Sequence, residues 1–168
     1  MIEKVDFYIK KFGLEKHPEG GYFKETYRSG EIIQKDFLPV RYSGARTFST
    51  LIYFLLQGEQ ISYFHKLKSD EIWHFYDGSS LTIYLIKNEY EIIEIILGND
   101  VQNNESFQAI IPKDNWFAAE VMNKNSYSLV GCTVAPGFDF KDFELSKRKE
   151  LLKTYPNHLG IINKFTHI

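Results

Sequence analysis

The sequence predicts an all-β fold: a single domain spanning residues 1–168, its antiparallel strands closed around an aromatic-lined pocket, with a short helix at each end. Three observations predict it. Between residues 45 and 135, runs rich in Ile, Leu, Val, Tyr, Phe and Trp follow one another with turn residues between them, a spacing that suits a sandwich or barrel rather than alternating βα units. Aromatic residues make up 16% of the chain, dominated by 14 Phe and 11 Tyr, and flat rings suit pleated strands and pocket walls. At 168 residues the chain has the size of one domain with one sizeable core, and no linker, internal repeat or low-complexity tract divides it.

The elements follow in order. Val5, Tyr8, Ile9 and Phe12 recur at helical spacing and form one apolar stripe, with Gly13 as its stop and Pro18 against its resumption. Gly20-Gly21 turns the chain into a strand over 22–28. Further strands are expected over 47–56, 61–66, 71–76, 81–87, 90–97, 107–111, 116–121 and 127–135. Gln57-Gly58, Asp77-Gly78, Asn88, Gly98-Asn99-Asp100, Pro112-Lys113-Asp114 and residues 123–125 punctuate them. A last helix covers 146–153 before Pro156. In the strands over 47–56 and 71–76 both alternating faces are largely apolar, so both need cover. The terminal helices supply some of it, and a second subunit is expected to supply the rest, making a homodimer.

Composition narrows the partners. A net charge of −2 offers no basic stripe for nucleic acid. Cys132 is the single cysteine, which leaves no intrachain disulfide and reads as a buried, inert thiol. Residues 1–7 carry Glu3 and Asp6 where a secretory leader would want basic and then apolar residues. The apolar run 51–56 is too short to span a bilayer. A cytoplasmic protein without membrane or nucleic-acid partners is expected.

The chemistry concentrates between Gly58 and Gly78. Strand parity places Tyr63, His65 and Leu67 on one face, and the turn that follows can return Glu71 to it. A histidine and a carboxylate converging inside a barrel are the material of a metal site or an acid–base pair; a buried, hydrogen-bonded pair without chemistry is the alternative. The acid–base reading takes His65 as base, Glu71 as its support and a tyrosine (Tyr53, Tyr63 or Tyr84) as acid, with Arg46 or Lys66 to stabilise an anion. Trp73, Phe75, Trp116 and Phe117 complete an expected ligand-binding lining, suited to an amphipathic small molecule. The His17-Pro18-Glu19-Gly20-Gly21 segment reads as a turn, with Glu25 and Arg28 as rim contacts; two glycines without a following Lys-Ser/Thr are no phosphate loop. The Lys147-Arg148-Lys149 run reads as a solvated helix side, and His158 and His167 receive no role.

The same segment resembles an altered first cupin motif, G-x(5)-H-x-H-x(3,4)-E-x(6)-G. His65, Glu71 and Gly78 fall on its positions, Gly58 lies one residue too far away, and Leu67 stands where a second histidine belongs. The second motif is echoed at Pro112, with Asp114 for its glycine and Phe117 for its histidine. Longer stretches resemble the DUF985 or cupin_5 branch, often described as predicted sugar epimerases. These are His17-Pro18-Glu19-Gly20-Gly21-Tyr22-Phe23; Phe64-His65 with Ser69-Asp70-Glu71-Ile72-Trp73-His74-Phe75-Tyr76; and Gly131-Cys132-Thr133-Val134-Ala135-Pro136-Gly137-Phe138. The resemblance implies a double-stranded β-helix (the cupin jelly-roll barrel), commonly dimeric, that binds a carbohydrate-like or nucleotide-sugar ligand and acts as a sugar epimerase or isomerase. A binding protein without turnover and a metal-dependent dioxygenase or isomerase are the alternatives. The usual cupin metal site takes three histidines and a glutamate. Here only His65 and Glu71 occupy those positions, so no metal or other cofactor is expected, and a divalent ion would have those two ligands alone.

Overall fold

The computed structural model describes residues 2–167. Helix α1 (Ile2–Phe12) ends at Gly13, whose φ of 61° lies in the left-handed region. The Leu14 amide then donates to the Ile9 carbonyl at 2.9 Å, which closes a Schellman-type cap. The expected stripe is the buried one: Val5, Tyr8, Ile9 and Phe12 pack with Leu55, Tyr127 and Leu129.

Strands β1 (Glu15–Lys16) and β2 (Tyr22–Arg28) follow, then a small hairpin of β3 (Ile32–Ile33) and β4 (Arg46–Thr47). The barrel is completed by β5 (Thr50–Gln57), β6 (Ile61–Leu67), β7 (Asp70–Gly78), β8 (Leu81–Ile86), β9 (Ile92–Leu97), β10 (Gln108–Ile111), β11 (Phe117–Val121), β12 (Tyr127–Ala135) and β13 (Phe143–Leu145). Helices α2 (Arg148–Thr154) and α3 (Leu159–Lys164) close the chain. One sheet has the order β1-β2-β5-β12-β7-β10 and the other β13-β6-β11-β8-β9; every pairing between named strands is antiparallel.

The eight strands expected after residue 45 are all present with small changes at their ends. The run 47–56 divides, because Phe48 still donates to Glu31 of the hairpin at 3.2 Å and the sheet begins at Thr50. Strand β13 and helix α3 were not foreseen; the first is only three residues long, too short for alternation to register.

The core lies between the sheets, around Phe54, Trp73, Ile83, Leu97, Phe117 and Val130. Both outer faces carry cover, as the two-sided apolar strands require. Helix α1 lies on the first sheet, while Leu151 of α2 and Ile162 of α3, with Phe165, pack on Phe64, Ile86 and Ala118 of the second. Ile110 and Tyr76, near one edge of the first sheet, stay 63% and 47% exposed. Among the described residues no helix is long and apolar enough to cross a membrane.

Asp77 fastens α1 to the barrel. Its Oδ2 accepts from the hydroxyls of Tyr8 at 2.7 Å and Tyr127 at 2.5 Å and pairs with Lys4 at 2.8 Å. Burial pushes this carboxyl up, but the Lys4, Tyr127 and Tyr8 donors outweigh it and hold it down at about 2. A carboxylate depressed in the folded state stabilises above its unfolded pKa and loses that contribution as pH falls through the folded value. Asp77→Ala is therefore expected to lower stability by about 1–3 kcal/mol at neutral pH and to speed hydrogen exchange in α1 first. The difference from wild type should shrink as pH falls from about 4 through 2.

Candidate functional site

The site begins with a fault in a strand. Phe117 of β11 pairs with His65 of β6 and Ala119 pairs with Ser62, so Tyr63 and Phe64 together oppose Ala118. Two residues against one make a β-bulge, and a bulge breaks the alternation of faces. Ser62, His65 and Leu67 consequently point into the barrel, whereas Tyr63 and Phe64 both point out. Phe64 joins the core beneath α2 and α3. Tyr63 stacks on His167 with ring centroids 3.8 Å apart, so the expectation that Tyr63 shares a face with His65 is corrected.

The bulge frees the Tyr63 amide, and a loop answers it: Tyr63 N–H donates to the Glu19 carbonyl at 2.7 Å. That loop, 17–21, lies flat on the barrel because of its glycines. A Cβ on Gly20 would stand 2.1 Å from the Ile61 carbonyl oxygen, and Gly20 and Gly21 sit at φ 107° and 69°; only glycine holds these conformations without strain. Pressed down in this way, the loop turns the Glu19 side chain into the barrel.

Glu19 is the partner of His65. Its Oε2 lies 3.1 Å from His65 Nε2 and 3.3 Å from His17 Nδ1, and its Oε1 accepts from the Ser62 hydroxyl at 2.9 Å. His65 Nδ1 lies 2.7 Å from the Tyr63 carbonyl; a carbonyl can only accept, so Nδ1 carries a proton and the neutral ring offers a lone pair at Nε2. Burial drives the Glu19 carboxyl well above its ordinary range, helped by the nearby Glu71 and only partly opposed by Ser62. Burial likewise lowers His65 to about 3 and His17 to about 4. Burial therefore favours the neutral form of each group, and a protonated Glu19 carboxyl is placed to donate to the His65 Nε2 lone pair 3.1 Å away.

Glu71 enters from β7 into the same cavity, 7% exposed, but it is not bonded to His65. Its Oε2 is fully buried without a hydrogen-bond partner. Burial raises this carboxyl to about 7 against the moderating Trp73 and Cys132 side chains. A carboxyl raised on folding opposes folding when ionised, so its cost is absent below the unfolded pKa and grows as pH rises towards 7. Glu71→Gln is expected to stabilise the protein by on the order of 3 kcal/mol above pH 7. Denaturation curves of the variant and wild type should converge below about pH 4.5.

The cavity has a volume of about 350 Å³. His17, Glu19, His65, Glu71 and Cys132 face it with Ile52, Leu67 and Val134. Phe23, Phe143, Phe138 and Phe140 form aromatic walls, and Glu25, Arg28 and Asp139 stand with them in the lining. Of the expected site residues, His65 and Glu71 are brought together in this space with the expected rim residues Glu25 and Arg28, and the others are not. Tyr53 faces out beneath α1, its ring 4.7 Å from Phe12. Tyr84 lies on the outer side of β8 and donates to Glu120 at 3.0 Å. Trp116 packs in the core beneath α2 and α3, under Lys66, which pairs with Glu144 at 3.1 Å. Arg46 is held by Asp142 through two bonds of 2.5 and 2.6 Å, so it cannot reach an anion in the pocket. Trp73 and Phe117 are buried in the core, Phe117 backing His65 at 4.1 Å, and Phe75 packs on the same core. Trp73 and Phe117 do point inward, but the barrel is filled at their depth.

His17 and Glu19 were read as part of a turn. The usable sign was chemical: a histidine and an acid beside two glycines that let a loop lie flat. The donor set does not fit the three-histidine, one-glutamate metal site. Leu67 and Phe117 stand at two of its positions, both nitrogens of His65 are engaged, and among the described residues no three of His, Cys, Asp and Glu group to hold an ion.

A jelly roll of two antiparallel sheets with a histidine, two buried carboxyls and aromatic walls inside it defines the class: a cupin-fold protein with an enclosed small-molecule-sized site. The model of the Cupin_5 family, described as "Cupin superfamily (DUF985)", matches residues 6–146, and the chain belongs to that family. It is 32% identical to the uncharacterised protein YML079W of Saccharomyces cerevisiae over 154 residues, 86% of this chain and 76% of the relative. Among solved structures, protein SO0799 from Shewanella oneidensis is 40% identical, with 97% of each chain covered and a TM-score of 0.85. A hypothetical protein from Leishmania major is 31% identical, with 98% and 99% covered and a TM-score of 0.88. At 11% identity and a TM-score of 0.54, oxalate decarboxylase from Bacillus subtilis shares the fold alone, over 89% of this chain and 36% of its own.

Proposed function

We propose that the cavity binds a small hydroxy-carbonyl compound of the sugar class and interconverts its isomers or epimers by proton transfer next to the carbonyl. The observation that carries this reading is the buried Glu71 carboxyl, whose Oε2 has no hydrogen-bond partner, in the lining of the same cavity as the Glu19–His65 pair. Carboxyls whose environments set their proton affinities apart are the usual sign of divided acid and base roles.

In this reading Glu71 is the base. As a carboxylate it takes the proton from the carbon beside the carbonyl, while the Glu19 carboxyl gives its proton to the carbonyl oxygen, leaving a neutral enediol. The Glu19 carboxylate so formed is held by the Ser62 hydroxyl through Oε1. In the reverse direction Glu19 takes the proton of whichever enediol hydroxyl becomes the carbonyl: return of the carbon proton by Glu71 to the adjacent carbon isomerises, whereas delivery by a solvent water to the opposite face, with Glu71 passing its proton back to solvent, epimerises. A neutral enediol needs no cation, which suits a cavity that Arg46 and Lys66 do not reach.

The test is solvent exchange. Wild-type protein is incubated in D₂O with a panel of aldoses, ketoses and keto sugars and followed by proton NMR. Deuterium is expected at one carbon beside the carbonyl of the substrate, at a rate that rises with pH through about 7 as Glu71 ionises and is lost in Glu71→Gln. A second reading, binding without turnover, is favoured by the occupation of both His65 nitrogens. It predicts that a panel member raises the melting temperature and is recovered unlabelled.

A further inference from the structure

The lining of the cavity also speaks to the charge of what it takes. Four carboxyls line it, Glu19, Glu71, Glu25 and Asp139, against one guanidinium, Arg28, and no lysine. Arg28 is already committed. Its Nε and Nη2 donate to the two oxygens of Glu25 at 2.8 and 2.7 Å, and its Nη1 and Nη2 both donate to the Phe138 carbonyl at 3.2 Å. A fork satisfied in this way has little left for a phosphate. The nearby lysines Lys66, Lys68 and Lys141 line a separate cleft with Asp142 and Glu144. The lining instead includes the Glu71 carboxyl, a group that meets a hydroxyl well and an anion badly.

Resting on the proton-transfer reading above, we infer that the site takes an uncharged, unphosphorylated ligand, and that Glu25 is a specificity-determining residue that excludes phosphorylated ones by occupying Arg28. A phosphate arm leaving the cavity would meet Glu25 and Asp139. Two like charges a few ångströms apart repel by about 1–4 kcal/mol near a protein surface, enough for a discrimination of about tenfold or more. Removing the Glu25 charge abolishes the preference, because the guanidinium fork becomes free to take phosphate in two-pronged fashion.

The experiment uses matched pairs that differ by the phosphate alone, dihydroxyacetone with its phosphate and fructose with fructose 6-phosphate. Binding is measured by ligand-observed NMR and calorimetry on the full chain at fixed ionic strength. The neutral member is expected to bind about tenfold or more tightly than its phosphate in the wild type. In Glu25→Gln the phosphate should gain by a similar factor while the neutral member changes little. Glu25 lies in the exposed pair at 36% accessibility, so the variant folds, and a melting curve checks it. Phosphates that bind the wild type as well as the neutral sugars overturn the charge selection and leave the pocket reading standing. A Glu25→Gln protein with no gain for phosphate overturns the role of Glu25. Failure of every member of both pairs to bind overturns the inference together with the ligand class proposed above.

Discussion

Glu19→Gln is expected to slow proton exchange in the cavity by about 10²–10⁴-fold while the protein stays folded. The glutamine amide can still donate to His65 Nε2 and its carbonyl can still accept from Ser62, so the contacts at 3.1 and 2.9 Å survive. What disappears is a proton that can leave. If Glu19 is the acid, kcat falls and KM holds, since ground-state contacts are kept. Glu19→Ala is a different experiment. It leaves the His65 lone pair and the Ser62 hydroxyl unpartnered in a buried space, and each such loss costs about 1–3 kcal/mol. His65→Asn probes the support: it removes the ring that directs the carboxyl and should lower the rate without removing the acid. Exchange that runs at the wild-type rate in Glu19→Gln would end the proposed division of labour, whatever His65→Asn does.

The largest loss of stability is expected at Arg46. This guanidinium and Asp142 are 3% and 4% exposed and are joined by two bonds, with Tyr42 against the guanidinium face. Removing Arg46 leaves the buried Asp142 carboxylate with only the partly exposed Lys68 ammonium, 3.7 Å away, to offset its charge. Arg46→Met is therefore expected to lower the unfolding free energy by about 3–5 kcal/mol, read from urea denaturation. Removing both charges is far milder, because the desolvation of two ions is also removed; Arg46→Met with Asp142→Leu should recover most of the loss. A single variant within about 0.5 kcal/mol of wild type would show the pair to be dispensable. The consequence reaches the pocket. Asp142 lies between Phe140 and Phe143, both lining residues, so Arg46 shapes one aromatic wall from behind rather than touching a ligand.

These two residues show where reading the chain stopped. Arg46 is expected from the sequence to stabilise an anion, while its true partner lies 96 positions away. Tyr63 looked inward because alternation was carried unbroken through β6. No residue between 61 and 67 announces a bulge, which exists because β11 pairs with β6 out of step. Glu19 looked like part of a turn because its carboxyl enters the barrel only through contacts of the 17–21 loop with β5 and β6.

The chain by itself determined the strand pattern, the α1 stripe, the inward aim of His65, Glu71, Trp73 and Phe117, and membership in a jelly-roll family, since periodicity, turn residues and motif spacing are local properties. Only the tertiary structure decided which carboxyl meets His65, which aromatics line a cavity and which fill a core, and which cations are already engaged. Those outcomes depend on pairing register and on loops packed across distant strands. A slip of one residue in register turns a side chain from one face of a sheet to the other.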